Sequence, residues 1–252
     1  MESHLAVLAD EGANRGHRTL AEKAFESLHQ AIITGQLRPG TRLPIEELAE
    51  VLDMSPMPIR EAVRRLDAAG LVENIPHRGA RVTGLSITDL AEVYEARLAL
   101  EVLAIRRAAQ RFDPPHEAIA AARLDTLARM SDDNSARTSA AHEAFHFALY
   151  EAAASAWLVR LIRPVWETSE RYCLETPQCR QLATRGNEHR GILDACAARD
   201  PDRAALALHD HLAKTANNIS VAMGGEPLFE LDGLAGRSIG QVRRDLSGQR
   251  PR

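Results

Sequence analysis

Residues 36–82 read QLRPGTRLPIEELAEVLDMSPMPIREAVRRLDAAGLVENIPHRGARV. The pattern is two short helices, a tight turn and a two-stranded wing. Ser55 is a good N-cap, and Pro56 stands at the first helical position, where proline is best tolerated. From there Ile59, Ala62, Val63 and Leu66 recur at i, i+3, i+4 and i+7, so one face is apolar. Met57, Arg60, Glu61 and Arg64 fall on the other face, and Gly70 supplies a stop. Upstream, Glu46 to Leu52 predicts a short helix with Leu48 and Leu52 on one side. Only Asp53-Met54-Ser55 separates the two. That is helix-turn-helix spacing, with the second helix entering the major groove N-terminus first. Beyond Gly70, residues 71–73 and 81–82 predict strands around Pro76-His77-Arg78-Gly79, a turn for which glycine supplies the backbone freedom. Such a wing carries Arg78 to the sugar-phosphate backbone or the minor groove. His77 touches phosphate or faces water, and Arg42 reaches a phosphate or is solvated.

Charge limits the partner. Residues 56–81 hold five arginines (60, 64, 65, 78, 81) against three acids (61, 67, 73). The whole chain carries a formal net charge of −4 with a pI near 6.2. This argues against a general polyanion binder. It permits a compact duplex reader with few phosphate contacts per subunit, doubled by dimerisation. The alternative is an ordinary helical hairpin whose arginines form a solvated face.

The 252 residues allow one large or two modest domains. Aromatics are only 4%, so the cores must be built from Leu, Ala, Val and Ile. No apolar run approaches the roughly 20 residues of a membrane span, and the N-terminus lacks the basic and apolar regions of a secretory signal. A cytoplasmic protein is expected. Cys173, Cys179 and Cys196 are odd in number and show no CxxC spacing, so free thiols are expected.

The predicted fold is mainly α, with an N-terminal winged helix-turn-helix and a C-terminal all-helical bundle. Residues 1–17 form a flexible arm and 18–82 the winged domain, opened by a Thr19–Glu22 capping box on a helix to about Thr34. A linker spans 83–87. The helical domain, 88–223, holds helices at Asp89–Arg111, Pro115–Met130, Ser139–Ala154, Ala156–Cys173, Leu182–Arg199 and Pro201–Val221. Pro164 is expected to kink or divide the fourth of these, and Asp200 to cap the last. Residues 224–252 are expected to be a loosely held tail.

The ordered run Pro39-Gly40, Leu43, Glu47-Leu48-Ala49, Ser55, Pro58-Ile59-Arg60-Glu61-Ala62-Val63, Gly70-Leu71-Val72 and Arg78-Gly79 resembles the winged-helix domain of the GntR family of bacterial transcription regulators. The resemblance implies that Ser55, Met57, Arg60 and Arg64, with the wing residues His77, Arg78 and Gly79, approach DNA. This chain departs from the family twice. Glu46 stands where many members carry arginine, and Pro56-Met57 where many carry Arg-Thr. The second half resembles the all-helical effector (FCD) domain of the FadR-type branch, through Arg97, Glu101, Phe145-His146, His189 and His211.

His142 and His146, four apart, project from one helix face and can chelate one cation. His189 and His211 lie on two further helices, and bundles commonly assemble metal sites from facing helices. Family members use one Asp and three His, with the Asp where His142 stands here. An imidazole in its place removes a negative charge and favours nitrogen-loving metals, zinc first, with nickel or iron also fitting. A surface His142 is the alternative. Arg97 is the candidate anchor for a carboxylate effector, since its fork grips carboxylate bidentately. A structural salt bridge to Glu101 is its alternative.

These features predict a ligand-responsive transcription regulator, not an enzyme. It would act as a repressor and homodimer on an inverted-repeat DNA operator, sensing a small organic acid through a metal. Two rivals are a metal-dependent enzyme on the helical domain, with Glu143 as the nearest base in sequence, and a constitutive DNA binder with a structural metal.

Overall fold

The structure is a computed structural model that describes residues 19–75, 78–130, 136–176 and 187–231. The first domain forms where the sequence sets its stops. α1 (Leu20–Ile33) opens on the Thr19–Glu22 capping box, with both reciprocal bonds made. α2 (Ile45–Val51) and α3 (Pro56–Ala68) make the helix-turn-helix. The turn between them is closed by Asp53, held at φ +49°. β1 (Val72–Ile75) and β2 (Gly79–Val82) pair antiparallel with Val72 opposite Val82, so the strands run longer than the sequence suggested. Arg42 bridges to Arg81, adding a short third edge to the wing. Leu28, Leu48, Ile59, Leu66 and Val82 are all sealed in one apolar core.

The second domain is helical throughout: α4 (Ile87–Arg111), α5 (Pro114–Ala128), α6 (Ala136–Glu151), α7 (Ala156–Glu175), α8 (Asn187–Ala197) and α9 (Pro201–Ala222). Its core is separate and gathers Tyr94, Phe145, Tyr150, Trp166 and Tyr172, so the few aromatics of the chain are concentrated there. α4 lies centrally, packed on α9 and α7. Side-chain caps from Ser86, Asp113, Ser155 and Asp200 start α4, α5, α7 and α9.

Three expectations need correction. Pro164 does not divide its helix, since α7 runs through it. The first part of the tail is held: the Asn217 carbonyl accepts from the Leu228 and Phe229 amides at 2.7 and 2.9 Å, and its amide donates to the Phe229 carbonyl. Leu228 and Phe229 thereby pack on the core. Finally, Cys173 is disulfide-bonded. Cys196 is a free, buried thiol, pushed up to about 12 by burial.

α7 joins the two domains. Glu167 meets His29 of α1 at 3.1 Å. Arg171 donates to the Thr83 carbonyl, and the Tyr172 hydroxyl donates to Asp89 at the start of α4.

Candidate functional site

The face expected from the sequence to meet DNA is built by the helix-turn-helix. Burying Ile59, Ala62, Val63 and Leu66 turns Met57, Arg60 and Arg64 outward, and Met57 is 71% exposed. Ser55 precedes α3 in an extended conformation and its hydroxyl makes no capping bond, leaving it exposed. Arg60 donates to Glu46 across the turn. Arg65 instead packs over the Phe25 ring of α1 at 4.1 Å, which sets it apart from Arg60 and Arg64. On the wing Arg42 and Arg78 are exposed. Gly79 holds φ +78°, a left-handed conformation that favours glycine. His77 lies outside the described residues.

The four histidines singled out in sequence come together. His142 and His146 project from α6, His189 from α8 and His211 from α9, and one nitrogen of each lies within 4.8 Å of the others. His146, His189 and His211 are buried, and His142 is nearly so. Around a zinc ion, tetrahedral nitrogens at roughly 2.0–2.1 Å would stand about 3.4 Å apart, so modest inward motion of the rings suffices. The donor set also fits in kind. His142 and His189 turn their Nε2 atoms towards each other at 3.2 Å, and His146 Nε2 is buried with no partner. Burial, reinforced by the neighbouring imidazoles, holds His146 well below its usual 6.5. Burial likewise pushes His189 down to about 3. Neutral imidazoles are the form a metal requires.

Behind these rings stand residues that sequence reasoning did not assign. Glu188 meets His211 Nδ1 at 3.0 Å, and this hydrogen bond draws its carboxyl down to about 2. Tyr150 Oη lies 3.2 Å from His146 Nδ1 and donates to Glu101 at 2.5 Å. Trp166 packs beside His142 and His146, and its buried Nε1–H has no protein partner. Of these only Tyr150 left a trace in sequence, standing four residues after His146.

Arg97 is buried. Its Nε and one terminal nitrogen grip Glu101 at 2.6 and 3.2 Å, the other terminal nitrogen donates to Ser169, and the guanidinium stacks on Trp166. The salt bridge to Glu101 foreseen as the alternative is therefore made. Three of the five guanidinium hydrogens are used, which leaves one on each terminal nitrogen.

The comparisons with known proteins agree with this architecture. Residues 20–82 match the model for bacterial regulatory proteins of the gntR family, and residues 92–214 match the FCD domain. The chain is 31% identical to BphR, an HTH-type transcriptional regulator of Paraburkholderia xenovorans (strain LB400), over 77% of this chain and 83% of that one. It is also 31% identical to the "Probable D-xylose utilization operon transcriptional repressor" of Paenarthrobacter nicotinovorans, over 77% of this chain and 86% of that one. Among solved structures, a GntR regulator from Rhodococcus sp. RHA1 superposes with TM-score 0.64 at 27% identity, covering 79% of this chain and 96% of that one. FCD domains bind small-molecule effectors and often metals. No described helix is long and apolar enough to cross a membrane. The chain belongs to the GntR family: it is a DNA-binding transcription regulator with an FCD domain, and not an enzyme.

Proposed function

We propose that this regulator is a repressor that binds an inverted-repeat operator as a homodimer and releases it when a small organic acid enters the helical domain. A divalent metal, zinc by its donor set, is held by His142, His146, His189 and His211 and receives the acid's carboxylate. The observation that carries the proposal is the convergence of these four imidazoles with His146 Nε2 buried and unpartnered. An unpaired buried nitrogen costs free energy that a metal bond removes. The unused indole N–H of Trp166 and the two remaining guanidinium hydrogens of Arg97 suit an acid with several oxygen acceptors.

On the DNA side, Met57, Arg60 and Arg64 enter the major groove from the start of α3, with Ser55 at its lip. Arg42, His77, Arg78 and Gly79 follow the backbone beside it. One subunit reads one half-site, and two-fold symmetry of the dimer matches that of the operator. Repression is supported by two relatives described as repressors, the xylose-operon protein and GlaR of Escherichia coli. Ligand control requires that the acid prefer one arrangement of the heads over the other.

The test is native purification followed by elemental analysis and native mass spectrometry, with DNA footprinting in the presence and absence of the co-purified small molecule. About one zinc per chain, a dimer mass, and a symmetric footprint weakened by the ligand are expected. Metal-free protein with an unchanged footprint would refute the sensing half.

A further inference from the structure

We infer that Tyr150, braced by the Arg97–Glu101 ion pair, is a positioning residue that fixes the His146 imidazole with its proton on Nδ1 and its Nε2 lone pair turned into the histidine cluster. The inference rests on the metal-site reading above and extends it to residues outside the donor set.

A phenol carries one hydrogen. The Tyr150 hydroxyl has two close polar neighbours, Glu101 Oε2 at 2.5 Å and His146 Nδ1 at 3.2 Å. Glu101 is fully buried and paired with Arg97, so it is an ionised carboxylate that only accepts. The hydroxyl hydrogen therefore goes to Glu101, and the phenol oxygen is left to accept from His146 Nδ1–H. A neutral imidazole with its hydrogen on Nδ1 keeps its lone pair on Nε2. That is the atom which lies buried with no partner.

Glu101 is itself immobilised. Arg97 holds both of its oxygens, and Arg97 is pinned by Ser169 of α7 and by the Trp166 ring. The chain Ser169–Arg97–Glu101–Tyr150–His146 thus crosses α7, α4 and α6 without an exposed member. His211 has a simpler brace, since Glu188 accepts directly from its Nδ1. Two of the four imidazoles are thereby set in the same tautomer by different means. Outer hydrogen bonds of this kind set ring orientation and ligand basicity in metal centres.

Tyr150→Phe tests the role, because phenylalanine keeps the ring and removes only the acceptor. Zinc affinity should fall about 10–100-fold in competition with a chromophoric chelator, and the visible bands of the cobalt-loaded protein should shift. A variant with wild-type affinity and an unchanged cobalt spectrum would overturn the positioning role while leaving the metal site standing. Wild-type protein that takes up neither metal would overturn both. A readout independent of any variant is the nitrogen NMR of the metal-free wild-type imidazole. A protonated Nδ1 on His146 is expected, and a protonated Nε2 would refute the inference even if Tyr150→Phe failed to fold.

Discussion

Arg60 on α3 and Glu46 on α2 form a hydrogen-bonded ion pair of 3.0 Å across the turn, with both side chains exposed. An exposed pair of this kind contributes at most about 1 kcal/mol to stability, so its consequence lies in recognition. Glu46 holds the guanidinium in place, and in the proposed DNA complex it would also bring a negative charge close to the phosphates. Arg60→Ala should weaken operator binding by about 1–3 kcal/mol if the arginine reads a base. Glu46→Gln should tighten binding at low ionic strength, and the gain should shrink as salt rises. Fluorescence anisotropy at two salt concentrations measures both. Weaker binding by the Gln variant at low salt would show that the carboxylate makes a favourable contact of its own.

The histidine quartet yields a direct test by removal. His189→Ala combined with His211→Ala leaves only the α6 pair, too few ligands for a closed tetrahedral site. The double variant should retain no stoichiometric metal by elemental analysis while its far-UV circular dichroism stays helical. A full metal complement in that variant would place the ion elsewhere. His142→Asp restores a negative ligand and should shift preference from zinc towards manganese in a competition dialysis.

Acid should destabilise the metal-stripped protein in a defined direction. His146 and His189 are neutral in the fold because burial holds them below their usual 6.5, His189 down to about 3. Unfolding returns both to the ordinary value, so below about pH 6.5 the unfolded chain binds more protons and stability falls as pH drops. Above that value the stability is fully present. Urea midpoints of the stripped protein at about pH 7.5 and about pH 5 report the difference. Equal midpoints would contradict two buried neutral imidazoles.

Asn217→Ala should release Leu228 and Phe229, because that one amide makes all three of the bonds to them. The expected cost is about 1–3 kcal/mol, since the paired backbone groups are part-buried. Hydrogen exchange at the Leu228 and Phe229 amides should accelerate while the rest of α9 stays protected. Unchanged protection there would mean that apolar packing, with the Ser220–Glu226 hydrogen bond, holds the segment without Asn217.

Much of this molecule is written in local signals. The Thr19–Glu22 box, Pro56 after Ser55, and Asp200 before Pro201 each act within one helical turn, so their effects can be read from neighbouring residues. The α6 histidine pair is legible for the same reason, and the family resemblance supplied the other two rings. Tertiary partners are not legible in this way. Nothing near Glu188 in sequence announces that it accepts from His211, and Asn217 carries no mark of the tail it captures. Pro164 was expected to kink or divide its helix on propensity alone, but α7 is held along its length by both domains and runs on undivided, packing overriding the lost hydrogen bond.

α7 presents side chains both to the histidine cluster and to the DNA-binding head. Trp166 and Ser169 face the buried polar chain, while Glu167 holds His29 and Arg171 holds the Thr83 carbonyl. Twenty residues make a rod of roughly 30 Å that does not compress. If the proposed acid binds beside the indole, any roll or slide it imposes on α7 is felt within one turn at His29 and Thr83, and in the proposed dimer the spacing between the two heads would read out what occupies the interior.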